Sequence, residues 1–273
     1  MRFALTLLAL ALLTGCEPSV IRNLRARAER GEAAAMTELG WRYHLGKELA
    51  ADQDLALDWL KKGAKAGDPE AAFQLGLGVD AGGWLQTNLT LARTYYVEAA
   101  KGGHLEGTYR AGFAFHSGTG GEVDPQQALA YYTAAAKAGH ARAMVQLGHL
   151  YQKYGTAPDR TATAFSWFLK GARSSEPEGA YETARYLING WGTPADADNG
   201  WKWMKVAAEG GDPDAMYAWA YHPVTTFADV LDLQARREWL ERAAAKGHAK
   251  AKETLLAVEV GEVAGNLLGE LLK

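Results

Sequence analysis

Three histidines occupy equivalent places along this chain, and histidine is the side chain that most often binds metal ions or carries protons near neutral pH. His104 and His140 are separated by 36 residues, and His248 follows after three further intervals of that length. Metal ligands must converge within a few ångströms, whereas residues that recur once per structural repeat stay apart. The spacing therefore predicts that these histidines cap helices or pack between them, and it predicts no metal site.

Acidic and amide side chains form a second evenly spaced set, which on paper looks like a series of catalytic carboxylates. Its members are Asp52, Asn88, Asp124, Asp196 and Asp232, and Arg160 interrupts it. An acid–base pair needs two groups that face one reacting atom, which side chains spread along a repeat array do not provide. Each member is instead predicted to cap the start of a helix. Because the sequence also lacks an HExxH motif and a GxxxxGK[ST] loop, we predict no catalytic residues and no cofactor.

The amino-acid composition argues against several classes of partner and of site. Hydrophobic residues form 48% of the 273 residues and charged residues 22%, which is typical of a folded globular protein. The 29 lysines and arginines against 32 acidic residues leave a net charge of −3, so the charge balance argues against nucleic acid as a partner. The single cysteine excludes an intramolecular disulfide and a thiolate zinc cluster.

That cysteine, Cys16, follows a segment typical of an exported protein. The apolar run from Phe3 to Leu13 has the length of a signal-peptide core and is too short to span a bilayer. The sequence Leu13-Thr14-Gly15-Cys16 then resembles a bacterial lipobox, which implies cleavage before Cys16 and lipidation of that residue. The alternative is an ordinary secretory signal that happens to contain a cysteine.

The lipobox resemblance implies an address in the bacterial cell envelope. Residues 1–15 are then a lipoprotein signal peptide, and residues 16–19 are a tether that spans about 10 Å between the lipid and the folded body. The N-terminal lipid holds the protein on a membrane, facing the periplasm. Glu17 stands where an aspartate favours retention in the inner membrane, so we expect the outer membrane.

One period of 36 residues organises the rest of the chain. Its marker is a column of small residues: Gly31, Gly67, Gly103, Gly139, Ser175, Gly211 and Gly247. An aromatic column lies eight positions earlier: Trp59, Tyr95, Tyr131, Trp167, Trp203 and Trp239. A second small column lies in the other half of the unit: Gly40, Gly76, Gly112, Gly148, Ala184 and Ala220. Each unit predicts two helices, here called helix A and helix B, with close helix contacts at the small columns and the aromatic column filling the space between units.

The motifs of these units resemble the Sel1-like repeat, a relative of the tetratricopeptide repeat. The resemblance rests on Leu75-Gly76, Leu147-Gly148, the loop Gly118-Thr119-Gly120, and residues 128–132 and 134–139. It implies an all-α fold, a right-handed α-solenoid of about six 36-residue helix-turn-helix repeats with capping helices. The implied organisation is an N-terminal capping helix at 20–31, six repeats at 32–247 and a C-terminal capping helix at 248–273. Local departures are Gly82-Gly83-Trp84, Pro223 and Ser174-Ser175.

Tetratricopeptide arrays bind partners along a concave face that helix A lines, and the resemblance carries that geometry to this chain. The two columns that share this side of helix A are spaced i,i+4. They form the helix A stripe: Thr37, Trp41, Phe73, Leu77, Tyr109, Phe113, Val145, His149, Tyr181, Arg185, Tyr217 and Tyr221. Aromatic residues and arginine are enriched in protein-binding hot spots, so the stripe is the predicted partner-binding face. The alternative is that these side chains form interhelix core.

The resemblance implies a non-catalytic scaffold or adaptor that binds a protein or peptide. A more specific alternative within the family is an immunity protein that binds and neutralises a secreted toxic effector. A second alternative, an enzyme that acts on the cell wall, needs carboxylates that converge in the groove.

Overall fold

In a computed structural model, the structure describes residues 18–155, 159–222 and 233–257, and every regular element within these ranges is a helix. The elements in chain order are α1 (Ser19–Glu29), α2 (Ala33–Leu45), α3 (Gln53–Lys65), α4 (Pro69–Val79), α5 (Leu89–Lys101), α6 (Leu105–Ser117), α7 (Pro125–Lys137), α8 (Ala141–Tyr154), α9 (Arg160–Arg173), α10 (Pro177–Asn189), α11 (Ala197–Gly210), α12 (Pro213–Ala220) and α13 (Leu233–Ala245), followed by helical residues 249–257. Even-numbered helices are helix A of their units, and odd-numbered helices from α3 onward are helix B. The predicted all-α solenoid of helix-turn-helix repeats is confirmed.

The chain divides into two compact units, Met1–His140 and Ala141–Lys273. In the first unit, Ile21, Leu24 and Ala28 of α1 pack against α2. Three helix hairpins follow along the chain: α2 with α3, α4 with α5, and α6 with α7. In the second unit consecutive helices from α8 to α13 pack on one another in the same alternating manner. Within the described residues, no helix is both long and apolar enough to cross a membrane.

Predicted helix caps are present where the structure describes them. The side chains of Asp52, Asn88, Asp124 and Asp196 each accept a backbone N–H from the first turn of a helix B, which confirms the prediction for these four residues. Asp232 lies outside the described residues. In the unit where Arg160 interrupts the set, the N-cap residue Asp159 makes no capping bond.

The second small column lets a large side chain of helix B lie directly on helix A. A Cβ atom placed on Gly76, Gly112 or Gly148 would stand 2.7, 2.7 and 2.4 Å from ring carbons of Tyr96, Tyr132 and Phe168. Where this column holds Ala184 and Ala220, the side chains at the same place in helix B are Met204 and Leu240, which share one core cluster with those alanines. The three aromatic side chains therefore meet glycine; Met204 and Leu240 meet alanine, while Leu60 meets Gly40.

The aromatic column, predicted to fill the space between units, packs against the core clusters there but does not form the buried centre. Its members, Trp59 to Trp239, are half-buried, and cations cover three of the rings: Lys62 Nζ lies 4.4 Å from the Trp59 centroid, Lys170 Nζ 3.9 Å from Trp167, and Arg242 Cζ 4.0 Å from Trp239. The fully buried column is the next one: Leu60, Tyr96, Tyr132, Phe168, Met204 and Leu240. The column predicted from sequence therefore borders solvent and carries cation–π contacts.

The local departures change single turns and leave the repeat intact. Gly83 packs so closely on the end of α4 that an added Cβ would lie 2.2 Å from the carbonyl oxygen of Leu77. Ser175 adopts the left-handed conformation, with φ of 62°, that glycine adopts at the equivalent turns. Helix α12 has 8 residues and ends at Ala220, whereas Pro223 lies outside the described residues.

Candidate partner-binding surface

The helix A stripe divides into exposed, half-buried and buried members. Phe113 and Tyr221 are exposed, by 47% and 42%, and both are large apolar side chains. The half-buried members are Trp41, Phe73, Leu77, Tyr109, His149, Tyr181, Arg185 and Tyr217. Helical spacing alone does not distinguish the exposed members from the half-buried ones, because the exposure of each side chain depends on the residue that the next repeat contributes.

Thr37 and Val145, the two remaining stripe residues, lie in the core. The Thr37 hydroxyl donates to the Asp68 carboxylate, and the residue is 6% exposed. Val145 is fully buried, and its Cγ2 stands 2.8 Å from the point where Gly171 would carry a Cβ. These two side chains cannot reach a partner, so the surface available for binding is the stripe without them.

The three histidines join neighbouring repeats through their rings. His104 stacks on Phe73, His140 on Tyr109 and His248 on Tyr217, with ring centroids 4.2, 4.4 and 4.5 Å apart. In each case the aromatic ring belongs to helix A of the preceding repeat. The Nδ1 atoms of His104 and His248 accept the backbone N–H of Gly107 and Ala251, which confirms the prediction that these histidines cap and pack.

A carboxylate completes each of these contacts. The Nε2 atoms of His104 and His140 lie 3.0 Å from Glu70 and Glu106, and that of His248 lies 3.2 Å from Asp214. We call this arrangement of histidine, carboxylate and aromatic ring the histidine clasp. The acidic partners are not among the sequence-predicted residues, although their spacing, three residues before the aromatic ring and 34 before the histidine, repeats in all three cases.

In the second unit, the stripe residue Arg185 forms an ion pair with the buried Glu182. Glu182 is 5% exposed, and both of its carboxylate oxygens accept hydrogen bonds from Arg185 Nη1, at 2.8 and 3.1 Å. The Arg185 guanidinium also lies 5.6 Å from the Tyr181 centroid and 5.4 Å from that of Trp191. Arg185 is thereby fixed among aromatic rings with 37% of its side chain exposed.

His149 is paired with an acid of the next helix A. Its Nε2 lies 3.0 Å from Glu178 Oε1. Burial of the ring opposes protonation, but the hydrogen bond to Glu178 and the negative charges of Glu178 and Glu182 outweigh it and raise the pKa of His149.

A cleft of about 570 Å³ opens beside the C-terminal part of the stripe. Its lining consists of Tyr181, Pro213, Asp214, Tyr217 and Ala218 together with residues 246–250, which include Lys246 and Lys250. Next to it, burial raises the pKa of Asp212 to about 6, and the charges of Asp214 and Glu178 act in the same direction. This part of the stripe therefore borders a cleft lined by aromatic rings and by charged side chains of both signs.

The three neighbouring carboxylates of this region each have a structural partner. Glu178 and Asp214 are each bonded to a histidine, and Asp212 accepts the backbone N–H of Ala215. Within the described ranges, no group of three or more histidine, cysteine or acidic residues is placed to hold a metal ion.

Comparison with known proteins identifies the repeat. Residues 33–68, 69–104, 105–140, 141–175 and 177–212 each match the Sel1 repeat, and a shorter match covers 237–248. The predicted register is thus matched in five complete repeats, while most of the sixth is not matched. A search of curated proteins finds no match.

Solved structures share the fold. A Sel1 repeat protein from Oxalobacter formigenes aligns with a TM-score of 0.72 and 24% identity, over 87% of this chain and 95% of that one. The protective antigen c5321 of uropathogenic Escherichia coli aligns with a TM-score of 0.53 and 24% identity, over 85% of this chain and 57% of that one. Sel1 repeat proteins are generally non-catalytic interaction scaffolds. Because the repeat matches span well over half of the sequence, this chain belongs to the Sel1 repeat family.

Proposed function

We propose that this protein is a lipid-anchored scaffold of the bacterial cell envelope that binds a protein or peptide partner along the helix A stripe. The observation that carries the proposal is the exposure of Phe113 and Tyr221 beside half-buried rings of the same stripe. An exposed aromatic ring next to a rigid, packed neighbour is the composition of a binding hot spot. Variation of the stripe from repeat to repeat gives such a surface its selectivity.

The anchor is proposed from the lipobox at Leu13-Thr14-Gly15-Cys16. Lipidation at Cys16, shortly before α1 begins at Ser19, would hold the folded repeats close to the membrane, on the periplasmic side and by preference at the outer membrane. Cys16→Ser is expected to abolish the uptake of labelled palmitate and to release the protein from the membrane fraction. Unchanged labelling of this variant would contradict the anchor.

Photocrosslinking in intact cells tests the binding surface. Benzoylphenylalanine replaces Phe113 in one strain and Val206 in another; both positions are 47% exposed, but Val206 lies on α11, a helix B. We expect a crosslinked partner from position 113 and none from position 206. A partner captured equally from both positions, or only from position 206, would place the interface away from the stripe.

Alanine variants supply the energetic test. Phe113→Ala and Tyr221→Ala remove exposed rings, so their thermal midpoints should stay near that of the wild type while capture of the crosslinked partner falls about thirtyfold or more, as for a hot spot of at least 2 kcal/mol. The identity of the captured protein then separates a general adaptor from an immunity protein, whose partner is a secreted toxic effector.

A further inference from the structure

One hydroxyl group in the second unit is buried without a hydrogen bond. Tyr186 of α10 is fully buried, and its hydroxyl oxygen has no hydrogen-bond partner among the described residues. Its ring packs against the rings of Phe165, Phe168 and Trp191, with centroids 6.2, 5.2 and 5.5 Å away. Buried polar groups in folded proteins are normally hydrogen-bonded, so the packing of the repeats does not account for this hydroxyl.

Tyr186 lines a cavity of about 190 Å³. The other lining residues are Gln152, Arg160, Thr161 and Trp191. Each of these five side chains can donate a hydrogen bond from an N–H or O–H group, and none of them is acidic. Arg160 Nη1 donates to the carbonyl oxygen of Gly155 at 3.3 Å, which occupies only part of the guanidinium. The cavity therefore suits a ligand that accepts hydrogen bonds.

The helix that begins at this cavity, α9, lacks the cap found on other helices B. Four of those helices are capped by a side-chain oxygen that recurs in the 36-residue register: Asp52, Asn88, Asp124 and Asp196. In the fourth repeat Arg160 stands at this place, and Asp159 before it makes no capping bond. A guanidinium thus replaces the acceptor, and a ligand with an oxygen acceptor would supply what the first turn of α9 lacks.

The charges around the cavity favour an anionic ligand. Both acids of the neighbouring helix α10 are already paired, Glu182 with Arg185 and Glu178 with His149. Asp159 is exposed and does not line the cavity. Among the described lining residues, Arg160 is the one charged side chain, so it is available to balance one negative charge.

We propose that this cavity binds a carboxylate group of the protein partner, an inference that rests on the binding function proposed above. A carboxylate accepts hydrogen bonds from a guanidinium and from the Tyr186 hydroxyl at the same time. One lining cation balances a carboxylate, but only part of the charge of a phosphate group. The volume suits a single short acidic side chain or a chain end, since cavities for drug-sized ligands begin at about 300 Å³. Trp191 connects the cavity to the helix A stripe, because its ring lies 5.4 Å from the Arg185 guanidinium.

Four small compounds test the site and the source of the carboxylate. N-acetyl-glutamate-α-methylamide carries a side-chain carboxylate, and N-acetyl-alanine carries a terminal one. Their neutral counterparts are N-acetyl-glutamine-methylamide and N-acetyl-alanine-methylamide. Each compound is titrated into the full chain, and the signals of the Thr161 amide and the Trp191 indole N–H are followed by NMR.

We expect saturable shifts with at least one carboxylate, with a dissociation constant on the order of 1 mM, and no saturable shift with its neutral counterpart. The carboxylate that binds more tightly identifies the source, either an acidic side chain or a chain end. An equal response to an acid and its neutral counterpart would overturn the proposal, and so would the lack of a saturable shift with either acid.

Two conservative variants of buried tyrosines separate binding from folding. Tyr186→Phe removes only a hydroxyl that is unpaired within the described residues, so it should melt no earlier than the wild type and bind the carboxylate at least tenfold more weakly. Tyr132→Phe is the matched control, because Tyr132 is also fully buried with an unpaired hydroxyl but lies in the first unit. It should bind the carboxylate as the wild type does. Undiminished binding by Tyr186→Phe, or an equal loss in both variants, would overturn the proposal.

Arg160→Asp gives the fourth repeat the acid that other repeats carry at this place. It should melt no earlier than the wild type, because the new carboxylate caps α9, and it should lose carboxylate binding. Undiminished binding by this variant would overturn the proposal. Carboxylate binding in a protein that captures no partner from position 113 would instead contradict the scaffold function alone.

Discussion

The imidazole of His140 lies on the phenol ring of Tyr109, with 4.4 Å between the ring centroids and 15° between the ring planes. The two residues belong to consecutive repeats, and His140 also meets Glu106, which lies one helical turn before Tyr109. The same three-residue contact recurs at Phe73 with His104 and at Tyr217 with His248. Part of the stripe therefore holds consecutive repeats together, and the proposed binding surface consists of its exposed members.

His104 allows the two roles of a clasp histidine to be measured separately. His104→Asn keeps a side-chain acceptor for the Gly107 N–H and loses the stack on Phe73 and the bond to Glu70, whereas His104→Ala loses all three. A helix cap contributes about 1 kcal/mol and a ring pair about 0.5–1.5 kcal/mol. Denaturant unfolding should therefore rank the wild type above His104→Asn and His104→Asn above His104→Ala. Equal free energies of unfolding for the two variants would show that the cap contributes nothing.

The close contact between Gly112 of helix A and the Tyr132 ring of helix B predicts that a larger residue at position 112 destabilises the protein. In Gly112→Ala the new Cβ would stand 2.7 Å from the Tyr132 ring, so we expect a loss of about 1–3 kcal/mol in the free energy of unfolding. Adding Tyr132→Met reproduces the combination of Ala184 and Met204 found in the fifth repeat. The double variant should lose less stability than the sum of the two single variants, which a double-mutant cycle measures. Additive losses would contradict direct packing between the two positions.

The period, the helix pairs and the helix caps follow from the sequence, because each depends on local chemistry that recurs every 36 residues. The identity of the buried column does not, because aromatic residues occupy both candidate positions in Tyr95-Tyr96, Tyr131-Tyr132 and Trp167-Phe168. A shift of one residue turns a helix face by about 100°, which periodicity read from a short helix does not resolve. The acidic partners of the histidines do not follow from the sequence either, because residues 34 apart meet only through the packing of consecutive repeats.

Ser175 predicts a stabilising substitution. It holds φ of 62° in the turn after α9, where Gly67, Gly103, Gly139, Gly211 and Gly247 hold positive φ after the other helices B. Left-handed backbone costs a residue with a Cβ about 1 kcal/mol relative to glycine, so Ser175→Gly should raise the free energy of unfolding by about 0.5–1 kcal/mol. The neighbouring Ser174 has φ of −91°, and Ser174→Gly is the matched control, expected to be neutral or destabilising. A gain from Ser174→Gly as large as that from Ser175→Gly would exclude the backbone explanation.

Asp212 predicts a pH-dependent penalty on the folded state. Its pKa is raised from 3.8 to about 6, first by burial and then by the charges of Asp214 and Glu178. A carboxyl group whose pKa is higher in the folded state destabilises that state progressively as the pH rises from about 4 to about 6, and the penalty is complete above that range. The shift corresponds to about 3 kcal/mol, which solvent screening at a partly exposed group reduces to about 1 kcal/mol.

Asp212→Asn should remove this penalty, because asparagine keeps an acceptor for the Ala215 N–H without the charge. We expect the variant to melt near the wild type at pH 4 and later than the wild type at pH 7.5. Asp196 is the matched control, since it is also a helix N-cap, but its hydrogen bonds to Asn199 lower its pKa. Asp196→Asn should therefore melt earlier than the wild type at pH 7.5, with a smaller difference at low pH. Thermal melts of both variants across this pH range give the change in melting temperature relative to the wild type. A change in the same direction for both variants at pH 7.5 would mean that neither carboxylate acts through its charge.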